Sequence, residues 1–208
     1  MTDSAASIRA FTAVPISAEA KGELREGQAA LRSRVRGVTW VRPENFHVTL
    51  QFLGSIPASS IGDWSEAIED VTVGVEPFRM RIEGIGTFPP KRPARVLWAG
   101  ISVGRDEMED LFRRLSARLQ ESGYRPEGRP FHPHVTLGRI REPRRTDGLA
   151  DALARGTGAK TLEQRVSTVH LVRSRLGPGG AIYDTLVAVP LGEARTGDHP
   201  TDISEDPS

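Results

Sequence analysis

The tetrapeptide His-Val-Thr-Leu occurs twice in this chain, at residues 47–50 and again 87 positions later at residues 134–137. The two copies contain two of the five histidines. In an extended strand alternate side chains face the same way, so the His and Thr of each copy share one face, and the Val and Leu share the other. Each copy therefore predicts a strand that presents an imidazole and a hydroxyl to a cleft and packs two apolar side chains on a core.

Two imidazoles and two threonine hydroxyls around one point suit in-line attack on a phosphodiester. Such an attack requires an incoming oxygen to lose a proton and a leaving oxygen to gain one. The unperturbed pKa of imidazole is about 6.5, so near neutral pH one ring can accept a proton while the other donates one. A Thr hydroxyl donates a hydrogen bond without titrating. The alternative is a pair of half-buried strands whose histidines satisfy local hydrogen bonds, and the identical repeat argues against it.

Length and composition restrict the remaining possibilities. A chain of 208 residues fits one large domain or two small lobes. Cysteine is absent, which excludes disulfides and thiolate nucleophiles or metal ligands. No apolar run approaches the roughly 20 residues that a membrane span needs, and the N-terminus lacks the pattern of a secretory signal. We therefore expect a soluble, cytoplasmic protein with no membrane partner.

The net charge of +1 is unevenly distributed. Residues 192–208 contain five acidic residues and one Arg, so this tail has a net charge of −4, and residues 1–191 have a net charge of +5. We expect residues 1–191 to form a single bilobal domain and the acidic tail to be disordered. Of the 28 basic residues, 25 are Arg, whose planar guanidinium matches phosphate. Codon bias is the alternative explanation, and we prefer it for most of these arginines.

Hydrophobic periodicity and turn residues predict the same order of elements in both halves of the chain. The predicted strands cover residues 8–14, 47–53, 78–88 and 95–101, a segment beginning at His134, and a hairpin formed by 166–176 and 182–190. The predicted helices cover residues 17–35, 59–72, 106–121 and 146–155. We expect Ser17 to cap the first helix and the first motif strand to end at Gly54. This order indicates two related lobes that face each other across a cleft.

The other histidines are weaker candidates for chemistry. His132 shares the parity of His134 and could form a metal-binding pair with it, but no acid-rich partner motif is near. We interpret His170 as structural and assign His199 to the tail. A further group of arginines could guide RNA electrostatically, although a solvated loop is the commoner role of such residues: Arg141, Arg144 and Arg145.

The chain resembles the two-histidine (2H) phosphoesterase superfamily. Within it the similarity is to the RNA 2′,3′-cyclic phosphodiesterases, also called 2′-5′ RNA ligases, and it extends over about residues 9–191. The stretches that carry the resemblance are residues 9–13, 41–54, 86–89, 96–100, 133–139 and 174–183. Neither motif departs from the family pattern.

The resemblance implies an α+β, bilobal fold with antiparallel sheets lining a central cleft and helices outside. It also implies that the terminal 2′,3′-cyclic phosphate of RNA, or a small cyclic nucleotide, is opened to a 2′-phosphate without a metal or other cofactor. We expect a monomer. Two alternatives remain open, namely 2′-5′ RNA ligation as the main reaction and a non-catalytic module that binds a nucleotide or an RNA end.

Carried over to this sequence, the family pattern makes His47 and His134 the acid–base pair. Thr49 and Thr136 become the donors to phosphate oxygens. We interpret His134 as the base and His47 as the acid.

Two further residues follow from the resemblance. Family members use an aromatic residue five places after the first His, here Phe52, to stack a base, and an Arg five places after the second, here Arg139, near the phosphate. An odd offset places both residues on the wrong face of a regular strand, so a strand end or a bulge beside Gly54 and Gly138 must redirect them. The alternatives are a core aromatic for Phe52 and a solvated charge for Arg139.

Overall fold

The computed structural model describes residues 6–90, 93–121, 124–125, 130–142, 146–155, 161–178 and 180–192. The strands in this part of the chain are β1 (Ser7–Pro15), β2 (Val38–Trp40), β3 (His47–Pro57), β4 (Phe78–Phe88), β5 (Val96–Val103), β6 (His134–Ile140), β7 (Leu162–Val166), β8 (Thr168–Gly177) and β9 (Gly180–Pro190). The helices are α1 (Ala18–Arg32), α2 (Ile61–Thr72), α3 (Arg105–Glu121) and α4 (Leu149–Ala154). Of the tail predicted to be disordered, residues 192–208, only Gly192 is described, and His199, Arg144 and Arg145 lie outside the described residues.

Most predicted elements are confirmed, with shifted ends. Helix α1 begins after Ser17, whose hydroxyl accepts a hydrogen bond from the Ala20 amide at 3.2 Å, and it ends three residues earlier than expected. Strand β3 continues to Pro57, so the expected end at Gly54 is wrong: Gly54 adopts a left-handed φ of 73° inside the strand, where the pairing register shifts. The short strands β2 and β7 were not predicted.

All strand pairs are antiparallel and belong to one sheet with the order β7-β4-β5-β6-β3-β1-β8-β9, and β2 pairs with β6. The sheet consists of two halves, which we call lobe 1 (β1, β3, β8 and β9) and lobe 2 (β4, β5, β6 and β7). The two motif strands join the lobes through a single residue pair, Val48 and Val135. The predicted bilobal antiparallel arrangement is therefore confirmed, with the lobes continuous in one sheet rather than built on separate sheets.

Helices cover one face of this sheet. The Val and Leu residues of both motifs are buried in the same apolar cluster as Leu31 of α1, Ile68 of α2 and Leu115 of α3. Removal of this apolar surface from water is the main favourable contribution to the fold. The opposite face is left for the His and Thr side chains. No helix in the described part of the chain is long and apolar enough to cross a membrane.

Candidate active site

The sheet face that carries the His and Thr side chains lines a cleft of about 670 Å³, to which Phe112 of α3 also contributes. Both motifs contribute to it, because His47, Thr49, His134 and Thr136 all line the cleft. The structure thus brings together side chains that are far apart in the sequence, as the repeat predicts.

A bulge interrupts β3 directly after the His-Val-Thr segment. Thr49 pairs with Ala13 of β1, whereas Gln51 pairs with the preceding residue, Thr12, so Leu50 has no partner of its own. Leu50 and Gln51 are both buried, which breaks the regular alternation. A single extra residue reverses the face to which later side chains point.

Strand β6 has the same bulge at the equivalent position. Thr136 pairs with Trp98 of β5 and Gly138 pairs with Leu97, which leaves Leu137 without a partner. Leu137 and Gly138 are both buried, as Leu50 and Gln51 are in β3. The backbone irregularity is therefore duplicated together with the motif.

The paired bulges explain how Phe52 and Arg139 reach the cleft at an odd offset from their histidines. Both residues line the cleft. The side chain of Phe52 is 52% exposed, so the alternative of a core aromatic is wrong. Arg139 is also exposed, and its charge contributes to lowering the pKa of both His47 and His134.

The ring of His47 is held from several sides. Nδ1 lies 2.6 Å from the Asn45 carbonyl oxygen, and Nε2 lies 2.9 Å from the Thr49 hydroxyl. A carbonyl oxygen only accepts, so Nδ1 carries the proton, and in the neutral ring Nε2 accepts from Thr49. The ring packs against Phe11, with centroids 4.8 Å apart, and edge-on against Tyr183 at 5.3 Å.

These surroundings lower the pKa of His47 to about 4. Loss of solvent around the ring is the largest cause, and the positive charges of His134, Lys21 and Arg139 act in the same direction. The hydrogen bond to Asn45 opposes them. His47 is consequently neutral near pH 7 in the empty cleft.

His134 has a similar but less enclosed setting. Its Nδ1 lies 2.6 Å from the His132 carbonyl oxygen, which again places the proton on Nδ1 and leaves Nε2 as an acceptor. Its ring packs edge-on against Phe88 at 5.0 Å and lies 6.3 Å from Trp98. Burial is the main cause that lowers the pKa of His134, and the charges of His132 and Arg139 add to it.

The remaining histidines that the structure describes have other partners. Arg105 donates to Nδ1 of His132 at 2.9 Å, so this nitrogen faces a cation. No three His, Cys, Asp or Glu side chains among the described residues are grouped as a metal would need. His170 contacts the hydroxyls of Thr168 and Thr185 and does not line the cleft, which agrees with a structural role.

Several cleft residues were missed by the sequence reasoning. Asn45 supplies the carbonyl that holds His47, and its amide donates to the Ala181 carbonyl at 2.8 Å, which ties this point to the β8–β9 hairpin. Tyr183 packs on His47, and burial raises the pKa of its hydroxyl. Both residues lie within the stretches that resemble the family, so the resemblance was the available signal. Arg95 and Phe131, which also line the cleft, had no such signal.

Comparisons with known proteins agree with this geometry. The chain is 36% identical over 176 residues to the RNA 2′,3′-cyclic phosphodiesterase of Methanothermobacter thermautotrophicus, covering 85% of this chain and 95% of that protein. The crystal structure of TT0787 of Thermus thermophilus matches with a TM-score of 0.74 and 31% identity, over 90% of this chain and 100% of that chain. Escherichia coli LigT complexed with 3′-AMP shares the fold, with a TM-score of 0.70 and 22% identity over 90% of this chain and 100% of its own. The sequence model of the LigT-like phosphoesterases matches residues 14–98 and 101–183, and the protein therefore belongs to this family of two-histidine phosphoesterases.

Proposed function

We propose that this protein hydrolyses the 2′,3′-cyclic phosphate at RNA ends to a 2′-phosphate. The observation that carries the proposal is the duplicated pair of side chains in one cleft: two imidazoles, each with Nδ1 tied to a carbonyl, and a Thr hydroxyl beside each ring on the same strand face. Relatives that are 36% and 35% identical to this chain are RNA 2′,3′-cyclic phosphodiesterases, which supports this substrate class.

The proposed reaction uses one ring as a base and the other as an acid. A neutral imidazole takes a proton from water through Nε2 as the water oxygen attacks phosphorus in line. The opposite imidazolium gives its proton to the ribose O3′ as the P–O3′ bond breaks, and the phosphate remains on O2′. Thr49, Thr136 and Arg139 donate hydrogen bonds to the phosphate oxygens, on which negative charge increases in the transition state.

Substrate binding and proton uptake are coupled in this scheme. In the empty cleft both imidazoles have a pKa below the usual 6.5, so both are largely neutral near pH 7. The acid must be charged before it can donate. An anionic phosphate bound between the rings favours the imidazolium form and so supplies the driving force for this uptake.

The assignment of His134 as base and His47 as acid stays a prediction, and a substrate with sulfur in place of O3′ tests it. A thiolate leaves without protonation, because a thiol has a pKa of about 8.5, far below that of an alcohol. With this substrate His47→Ala should recover most of its lost rate, and His134→Ala should remain slow. The opposite pattern would exchange the two roles.

The proposed function is tested most directly with 2′,3′-cyclic AMP and identification of the product isomer by phosphorus NMR. We expect 2′-AMP, at a rate that EDTA does not change. A 3′-AMP product would contradict the leaving group. Binding without any turnover would support the alternative of a nucleotide-binding module.

A further inference from the structure

The two ends of the cleft differ chemically. Strands β3 and β6 run antiparallel and meet at Val48 and Val135, so Phe52 and Arg139 lie in opposite directions from this meeting point. The histidines and threonines lie between them. The cleft therefore has an end marked by Phe52, which we call the aromatic end, and an end marked by Arg139, which we call the basic end.

Aromatic rings cluster at the first of these ends, because Phe131 precedes β6 at the end opposite Arg139, and Gln51, next to Phe52, contacts Ser116 of α3. Phe112 of α3 and Phe131 stack with centroids 4.4 Å apart and an interplanar angle of 5°, and both line the cleft together with Phe52. Flat apolar surfaces of this kind suit a nucleobase, because every base has a π face that can stack on them.

The basic end contains a second arginine, Arg95. It directly precedes β5, where the next residue, Val96, pairs with Arg139, and its carbonyl accepts from the Ile140 amide at 2.8 Å. This bond fixes the backbone position of Arg95, and the residue is exposed and lines the cleft. Val96 is the residue of β5 that faces Arg139, and Arg95 lies one residue further from the histidines.

No carboxylate balances these two guanidinium groups within the described part of the chain. None of the described residues that line the cleft is Asp or Glu. Neither Arg95 nor Arg139 forms an ion pair with another described residue. Two exposed arginines whose charge no described carboxylate offsets attract anions, and guanidinium matches phosphate well.

The covalent structure of ribose indicates which phosphate reaches this end. A 2′,3′-cyclic phosphate occupies the C2′–C3′ edge of the sugar, with C1′ and its base on one side of that edge and C4′ with the 5′ chain on the other. When the edge faces the histidines and the base lies at the aromatic end, the 5′ oxygen points toward the basic end. In an RNA chain this oxygen belongs to the phosphodiester that precedes the terminal nucleotide.

We propose that the basic end is a second phosphate subsite, in which Arg95 binds the phosphodiester directly upstream of the terminal nucleotide. The preferred substrate is then an RNA chain with a cyclic end rather than a cyclic mononucleotide. This inference rests on the proposed function, because the position of the terminal ribose follows from the reaction at the histidines.

Three substrates isolate the upstream charge: 2′,3′-cyclic AMP, the dinucleotide ApA with a 2′,3′-cyclic end, and the same dinucleotide with a neutral methylphosphonate at the internal linkage. We expect kcat/KM for the charged dinucleotide to exceed that for the methylphosphonate by about tenfold or more, as a charged hydrogen bond predicts. In Arg95→Gln this ratio should fall close to one. Arg32→Gln, an exposed Arg in the last turn of α1, serves as the matched control and should keep the ratio.

The outcomes separate the two proposals. Turnover of 2′,3′-cyclic AMP with equal kcat/KM for both dinucleotides, or an unchanged ratio in Arg95→Gln, would overturn the subsite and leave the hydrolase intact. Absence of turnover with every substrate would overturn the proposed function instead. In that case calorimetry with the ApA 2′-phosphate and its methylphosphonate analogue still tests the subsite, because equal affinities would exclude it.

Discussion

The two motif strands have the same bulged backbone, and the fifth residue after the His differs between them. In lobe 1 and in lobe 2 the sequence His-Val-Thr is followed by a bulged Leu, at Leu50 and Leu137, so the fifth residue after each His faces the cleft. That residue is Phe52 in lobe 1 and Arg139 in lobe 2. The duplicated positions are those that would contact the reacting phosphate, and the divergent position is where a single, asymmetric substrate would distinguish the two lobes.

The two imidazoles also differ, although their motifs are identical. His47 contacts Phe11 and Tyr183 and has a pKa of about 4. His134 contacts Phe88 and, at a longer distance, Trp98, and its pKa is lowered as well. All four aromatic residues lie outside the repeated tetrapeptide. Neighbouring strands therefore set the proton affinity of each ring.

The largest expected effect is the decrease in kcat when either imidazole is removed. We expect His47→Ala and His134→Ala each to lower kcat for 2′,3′-cyclic AMP by about 10²–10⁴-fold, because each removes one of two required proton transfers. Affinity for the product 2′-AMP should be largely retained. His170→Ala is the matched control, since this imidazole lies on β8 outside the cleft lining. If one His variant kept near-normal turnover, the two lobes would not share the chemistry.

The next effect compares the two hydroxyls. We expect Thr49→Val and Thr136→Val each to lower kcat by about 10²-fold, as when a single donor to a developing oxyanion is removed. Valine has the same shape and strand preference, so the fold should be preserved. Thr→Ser at the same positions retains the hydroxyl and should keep most of the activity. A large loss at only one of the two positions would show that the phosphate is bound mainly by one lobe.

The backbone that positions these side chains was only partly predictable from the sequence. Alternation of polar and apolar residues correctly assigned His47 and Thr49 to one face, because β3 is regular up to that point. The offset of Phe52 required a bulge or a strand end, and the sequence could not distinguish them. The bulge depends on pairing with β1, a contact between residues about 40 positions apart, which local periodicity does not record.

Strand β2 and the cleft residue Arg95 were not predicted for similar reasons. Strand β2 has three residues, too few for a periodic pattern, and it is held by pairing with β6. There Val38 packs so closely on Gly138 that a Cβ atom at this position would collide with it. Arg95, the first residue of the predicted strand 95–101, was missed as a cleft residue because the β5–β6 pairing brings it to the cleft. These are tertiary contacts, and only the folded chain reveals them.

A smaller effect is expected at Phe52, the fifth residue after His47, where the two motif strands differ. We expect Phe52→Ala to raise KM for 2′,3′-cyclic AMP by about tenfold, within the range for loss of one base–aromatic stack, with a minor change in kcat. Phe52→Tyr retains the ring and should retain KM. A ribose 2′,3′-cyclic phosphate without a base is the decisive control, because Phe52→Ala and the unaltered protein should process it equally. A tenfold loss with this substrate too would mean that Phe52 supports the cleft and does not stack a base.

The smallest effect concerns the pH dependence of the pair. The profile of kcat/KM reports the free protein, where one ring must be neutral and the other charged. Activity falls below the lower of the two coupled pKa values because the base is protonated, and it falls above the higher because the acid is lost. Since the pKa values of His47 and His134 both lie below 6.5, the maximum of kcat/KM should lie below pH 6.5. Arg139→Gln removes a charge that lowers both, so both limbs should move to higher pH in its kcat/KM profile. An alkaline maximum in the unaltered protein would contradict the lowered pKa values of the two rings. An Arg139→Gln profile with unchanged limbs would show that the charge of Arg139 does not act on both rings.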